Sequence, residues 1–210
     1  MKTVEILISL IIVFSFILTL IFYEKMPSLV ESHWDFYGNV NGYMNKEVGI
    51  FLIPSLMIFM TFIFFLIPKI DPLGKNILKF INHYNFFIII FYIFLFILQI
   101  YLILWNIGIK IKINYLISIC LGFLFFSIGK LLEKTKRNWF IGIRTPWTLS
   151  SDIVWDKTNK FAGKLFKISS FFCILSVVFV EYSVFFVLFP IILSSIVSMV
   201  YSYIIYKKLR

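Results

Sequence analysis

Tyr84–Asn106 reads YNFFIIIFYIFLFILQIYLILWN, 23 residues without one charge. A helix needs about 20 mostly apolar residues to cross the hydrocarbon core of a bilayer. The run is continuously apolar, with none of the in-out alternation of a membrane strand. Backbone groups in lipid must be satisfied within their own segment, which makes this a transmembrane helix. The rest of the 210-residue chain agrees: 61% is apolar and 14% charged, against about 45–50% and about 25% in soluble domains. A sphere of this size has too little interior for so many Phe, Ile and Leu side chains.

Working outward, further uncharged runs occur at Ile6–Tyr23, Val48–Ile67, Ile113–Gly129, Ile168–Val180 and Tyr182–Tyr206. The Ile168–Val180 run has only 13 residues. Phe161, Ala162, Leu165 and Phe166 lengthen it if Lys164 and Lys167 snorkel to the headgroups. The expected architecture is an all-α integral membrane protein, a six-transmembrane-helix bundle. No small-residue cleavage pattern follows the first run at Glu24-Lys25-Met26-Pro27, so that run reads as a retained anchor. Distributing Lys and Arg over alternate loops puts sixteen on one side and four (Lys25, Lys46, Lys110 and Lys112) on the other. By the positive-inside rule both termini are cytoplasmic. The net charge of +10 is then an insertion signal; no nucleic-acid motif accompanies it, and no direct nucleic-acid binding is expected. The division read from the sequence is an N-terminal two-helix region, 1–68, with external loop 24–47, and a four-helix region, 69–210, with cytoplasmic loop 133–167.

Helices in lipid associate through small residues. Ser194, Ser198 and Ser202 on the last span, and Ser118 and Gly122 on the fourth, are the expected packing faces. Pro54 and Pro190 lie inside spans and each removes a backbone bond, so each should kink its helix. Cys120 and Cys173 sit in apolar runs, with neither disulfide nor metal spacing, and read as small packing residues. No charged side chain or His lies in the middle of a span, which argues against an ion-coupled pump. Gln99 and Asn106 are expected to hydrogen-bond between helices or to headgroups.

Two loops carry the remaining information. Glu24–Glu47 has four acidic residues and two Lys. Its Gly38-Asn39-Val40-Asn41-Gly42-Tyr43 run predicts tight turns and a folded external loop. Trp34, Tyr37 and Tyr43 are expected interface anchors. His33 beside Glu31 and Asp35 finds no second His on that face, so a turn-capping role is expected, with no metal, no cofactor and no catalytic set. Glu133–Lys167 holds eight basic and three acidic residues. Pro146 there forces Thr145 out of helical geometry. Arg144 offers a planar fork to a carboxylate or lipid phosphate, while Trp139, Trp147 and Trp155 suit the headgroup level. Downstream, Ser150 is the expected cap of an interfacial amphipathic helix with Trp155, Thr158, Ala162 and Leu165 on one face.

At these residues the chain resembles a known family. Gly142-Ile143-Arg144-Thr145-Pro146-Trp147-Thr148-Leu149, followed by Trp155 and Lys157-Thr158, is similar to the signature of the SdpI family of bacterial membrane proteins. That family is named for the immunity protein against a secreted sporulation-delaying toxic peptide. Met26-Pro27, His33-Trp34, Gly38, Gly42-Tyr43 and Lys46 resemble the N-terminal domain of unknown function that commonly precedes the signature. The chain departs from the usual pattern at Glu31, Asn41 and Asn159. The resemblance implies a non-enzymatic six-span protein that protects its cell from a secreted antimicrobial peptide. In the best-known member it also implies signalling, by holding a cytoplasmic repressor at the membrane. The expected external recognition set is Pro27, His33, Trp34, Gly38, Gly42, Tyr43 and Lys46. The expected cytoplasmic set is Gly142, Arg144, Thr145, Pro146, Trp147, Trp155 and Thr158. Expected partners are the lipid bilayer, a toxic peptide outside and a transcriptional repressor inside; the rival reading is a transporter or channel for a small amphiphile.

Overall fold

The computed structural model describes residues 2–209, so Arg210 of the basic tail lies outside it. The apolar runs form long helices: α1 (Lys2–Phe22), α2 (Lys46–Ile70), α4 (Ile81–Asn106), α5 (Ile113–Leu132), α7 (Asp152–Leu175) and α8 (Ser183–Lys208). Between them lie two strands, β1 (Leu29–Trp34) and β2 (Val40–Asn45), and two short helices, α3 (Gly74–Leu78) and α6 (Pro146–Ser150). Among the described residues, five helical stretches are long and apolar enough to cross a membrane: Thr3–Lys25, Lys46–Ile70, Ile81–Asn106, Ile113–Leu132 and Val180–Lys208.

Helix α7 is the exception. Six of its 24 residues are charged, namely Asp152, Asp156, Lys157, Lys160, Lys164 and Lys167. It nonetheless runs antiparallel along the length of α5 and α8. Its Ser176 end meets Ser118 (2.6 Å), and Lys167 pairs with Glu133 at 2.7 Å. Two expectations are corrected here. The face carrying Trp155, Thr158 and Ala162 is fully buried in protein, so this is a bundle helix and not one lying in the interface with its apolar face in lipid. The fifth apolar run also does not stay helical to Val180: α7 stops at Leu175, where Ser176 turns back to donate to the Cys173 carbonyl at 2.6 Å, and Val180–Tyr182 is a 3-10 turn. Ser151, not Ser150, caps α7 by accepting from the Val154 N–H.

The packing follows small residues, as membrane association demands. A Cβ added to Gly129 would lie 2.7 Å from the Gly163 carbonyl oxygen, and one on Gly163 would lie 2.6 Å from that of Gly129. The α5 and α7 backbones are therefore in contact. Gly122 sits against Ile174, and Ser169 meets Ser194 at 2.8 Å. Ser194, Ser198 and Ser202 are all buried on α8, and both cysteines are buried and free. Pro54 and Pro190 lie inside helices that continue through them.

Helices α1, α2 and α4 pack on one another around Ile8, Met57, Tyr84, Ile88, Tyr92 and Leu95. Polar ties register them. Gln99 donates to Thr19 Oγ1 at 2.8 Å and to the Ile50 carbonyl at 3.0 Å, and the Tyr92 hydroxyl lies 2.6 Å from that of Thr61. Gln99 thus makes the interhelical bonds expected of it. The alternating helix directions define two ends. One carries β1 and β2; the other carries α3, α6 and the segment between α5 and α7.

Candidate functional site

At the first end the loop after α1 is an antiparallel β-hairpin, so the chain is not purely helical. Leu29 pairs with Asn45, Val30 with Met44 and Glu31 with Tyr43; after bulges, His33 pairs with Gly42 and Trp34 with Val40. Asp35 builds the turn. One carboxylate oxygen accepts the N–H groups of Tyr37 and Asn39, both at 2.9 Å, and Gly38 takes φ +84°. The Asn39 N–H holds the Asp35 carboxyl below the usual range. A glycine fits there for a further reason, since a Cβ would run into Asn114 Oδ1.

The hairpin is fastened to the bundle. Val30 is fully buried with Met26, Ile50 and Leu102. Asn106 at the end of α4 accepts from the Glu31 N–H at 2.8 Å and donates to the Glu31 carbonyl at 3.0 Å. The Glu31 carboxylate accepts from the Trp105 indole N–H and from Lys110 (2.6 Å). The Lys110 bond holds the Glu31 carboxyl below its ordinary value, assisted by Trp105. On the opposite side, the Asn114 amide donates to the Phe36 carbonyl at 3.0 Å and to the Ser183 hydroxyl at 2.8 Å.

These ties place the expected external residues in different surroundings. Trp34 turns inward, with edge contacts to Tyr101 (5.3 Å between ring centroids) and Trp105 (5.5 Å), and is not a free anchor. His33 is exposed and its Nδ1 lies 2.5 Å from Asn41 Oδ1, a side-chain contact across the strands; the turn itself is capped by Asp35 and not by His33. Gly42 leaves room for it, since a Cβ would come 2.8 Å from that of His33. Tyr43 and Tyr37 are exposed, as is Phe36. Pro27 is exposed before β1, and Lys46 opens α2 with its ammonium 4.1 Å from the Tyr23 ring centroid. Among the described residues no group of three or more His, Cys, Asp or Glu can hold a metal.

At the other end the motif is a folded knot. Thr145 is extended (φ −124°, ψ 163°) and caps α6 reciprocally with Thr148, with Pro146 opening the helix. The Thr145 hydroxyl also reaches Ser202 of α8 at 3.0 Å, and Trp147 packs on Tyr203 with centroids 5.0 Å apart. Gly142 takes φ +131° and lies over the Trp155 ring, where a Cβ would be 2.8 Å from Trp155 Cζ2. Trp155 is fully buried and donates to the Thr135 carbonyl at 3.2 Å, which corrects its expected place at the headgroups. Thr158 is fully buried one turn on; Arg144 is exposed, its Nη1 donating to the Trp139 carbonyl at 2.5 Å. Trp139 and Phe140 beside it are exposed.

Several residues that hold this end together were not singled out from the sequence. Asn138 ties its own loop through the N–H groups of Phe140 (2.9 Å) and Ile141 (2.6 Å). Asp71, buried, accepts the Trp139 N–H at 2.8 Å, and Asn76 donates to the Arg137 carbonyl at 2.8 Å. Asn159 accepts the Ile143 N–H at 2.8 Å, giving a structural use to one of the departures from the family pattern. A second departure, Glu31, is the hairpin's latch.

A helical bundle with five membrane-length apolar helices, a fastened hairpin at one end and a capped, basic motif at the other defines a polytopic integral membrane protein. The chain belongs to the SdpI/YfhL protein family, whose model matches residues 134–202; a second model, a domain of unknown function (DUF1648), matches residues 10–58. It is 30% identical over 207 residues to the immunity protein SdpI of Bacillus subtilis (strain 168), covering 97% of each chain. No solved structure matches it.

Proposed function

We propose that this chain is a non-enzymatic membrane immunity protein that protects its cell from a secreted antimicrobial peptide. The observation that carries the reading is the similarity to an immunity protein along 97% of both chains. In this reading the hairpin end faces outside and the motif end faces the cytoplasm. Both termini are cytoplasmic, and α7 crosses the membrane as a sixth span beside α5 and α8. Region 1–68 supplies the receiving hairpin, with Pro27, His33, Trp34, Gly38, Gly42, Tyr43 and Lys46 forming or framing it. Exposed Phe36 and Tyr37 at its tip meet the peptide first. Region 69–210 supplies the inner element. There Gly142, Thr145, Pro146, Trp147, Trp155 and Thr158 build a rigid base that presents Arg144, Trp139 and Phe140 to a transcriptional repressor.

The test is replacement of the immunity protein in Bacillus subtilis by this chain, followed by challenge with the secreted sporulation-delaying peptide. Survival at a dose that kills the unprotected strain is expected. Death of cells that carry the inserted protein at normal levels would refute immunity to that peptide, and repressor recovered in the membrane fraction reads the signalling arm separately.

A further inference from the structure

Beneath the hairpin, α4 on one side and α5 with α8 on the other enclose a chamber of about 410 Å³. That volume falls within the roughly 300–1,000 Å³ of small-molecule sites. Its deep wall is mostly apolar, with Leu98, Leu121 and Val187, and Ser118 one turn below Asn114 is already bonded to Ser176; the other polar residues gather toward the hairpin, where Trp34, Asn114 and Ser183 line it. From Asn114 to Leu121 along α5 the depth is about 10 Å, at about 1.5 Å per helical residue. Leu188 also lines the chamber and is exposed on α8 beside exposed Phe185 and Phe189, so the wall continues onto an outward apolar face.

One buried donor at the hairpin end lacks a partner among the described residues, the Trp34 indole N–H; Asn114 Oδ1, likewise unpartnered, is an acceptor lying against Gly38 and has no bearing on an incoming oxygen. Buried polar groups are nearly always hydrogen-bonded. Water is a poor filling for the deep part, because an apolar wall gives it too few partners. A peptide backbone would bring amide groups the same wall could not satisfy. The gradient instead suits an amphiphile with its polar group at the hairpin and one long tail below.

We propose that the chamber holds one acyl chain of a phospholipid from the leaflet on the hairpin side, an ester or phosphate oxygen accepting the Trp34 indole N–H. This goes beyond the immunity reading and stands without it. The occupied chamber supports the hairpin from below, on the seam between the two helix groups.

The test uses the full chain in vesicles of phosphatidylethanolamine and phosphatidylglycerol, a fraction of the latter carrying a photoactivatable diazirine near the end of one acyl chain. After extraction in mild detergent, native mass spectrometry should find one retained phospholipid per chain. Crosslinks should map to Leu98, Leu121 and Val187. Leu121→Trp from α5 and Val187→Trp from α8 each fill the chamber and should each abolish retention, whereas Phe189→Trp on the outward face should leave it intact. Trp34→Phe, which keeps the ring and removes the donor, should weaken retention about fivefold, the scale of one hydrogen bond. Wild-type protein without a retained lipid would overturn the proposal and leave the chamber to another occupant, a peptide included. Undiminished retention in either folded Trp variant, or crosslinks confined to other surfaces, would overturn it equally.

Discussion

Gly142 and Arg144 stand two residues apart and do opposite work. Gly142 takes a backbone angle that side chains rarely adopt, directly against the Trp155 ring. Gly142→Ala should therefore destabilise the motif end by about 1–3 kcal/mol, the range for local backbone strain, seen as a lower thermal aggregation midpoint in detergent. Arg144 is exposed and its bond is to a neighbouring carbonyl. Arg144→Ala should leave that midpoint nearly unchanged, as surface substitutions usually cost within about 0.5 kcal/mol, while protection or signalling is lost. If activity survived, the guanidinium would be an anchor only. Glu31 is the residue whose importance was least visible in advance. Beside His33 and Asp35 it was given no role of its own, and its partners, Trp105 and Lys110, are more than 70 positions away in the chain. Short-range spacing carries no information about such a bond.

At the scale of the element, the hairpin is held by ionised carboxylates. Glu31 and Asp35 both titrate below their ordinary values, 4.5 and 3.8. Lowered folded-state values mean that their stabilisation is complete above those ordinary values and is lost as pH falls through the lower ones. Tryptophan fluorescence should hence stay flat from neutral pH to about 5 and change only in stronger acid. In Glu31→Gln the environment of Trp105 should already differ at neutral pH, and the acid step should lose amplitude; an unaltered acid profile would remove Glu31 from the latch. Helix α7 offers a different test. With α5 and α7 in backbone contact at Gly129 and Gly163, Gly163→Val should overpack the pair at a cost of about 1–3 kcal/mol, measured as reduced folded yield. Four helix runs and the last one were legible as uncharged stretches because length in lipid is a one-dimensional property. Helix α7 was only half legible, since its charges read as a water-facing surface while its other face is covered by neighbours that the local sequence does not name. The hairpin was legible as turns around Gly38 and Gly42. Its strands were not, because Leu29–Trp34 is fastened at Glu31 by Asn106 and the turn after it at Phe36 by Asn114, both far along the chain.

For the whole molecule the decisive property is sidedness. If α7 crosses, the ends of the chain share a compartment and the hairpin and motif lie on opposite faces of the membrane. Cysteine placed at the exposed hairpin tip by Tyr37→Cys should react in intact cells with a membrane-impermeant maleimide, whereas Trp147→Cys should react only after the cells are opened. Native Cys120 and Cys173 are buried and should stay silent. Labelling of position 147 in intact cells would invert the arrangement and exchange the roles given to the two ends. The serine stripe on α8 was readable as a packing face from its four-residue spacing, yet its last member does more than pack. Ser202 receives Thr145, and Tyr203 one position on receives Trp147. Shortening the protein by its final turn of helix beyond Tyr206 should be tolerated, while trimming back past Ser202 should unseat the motif some sixty positions earlier. Anyone fusing a reporter to the carboxyl end must therefore keep every residue through Tyr203, or the label will report on a protein whose motif end has already come apart.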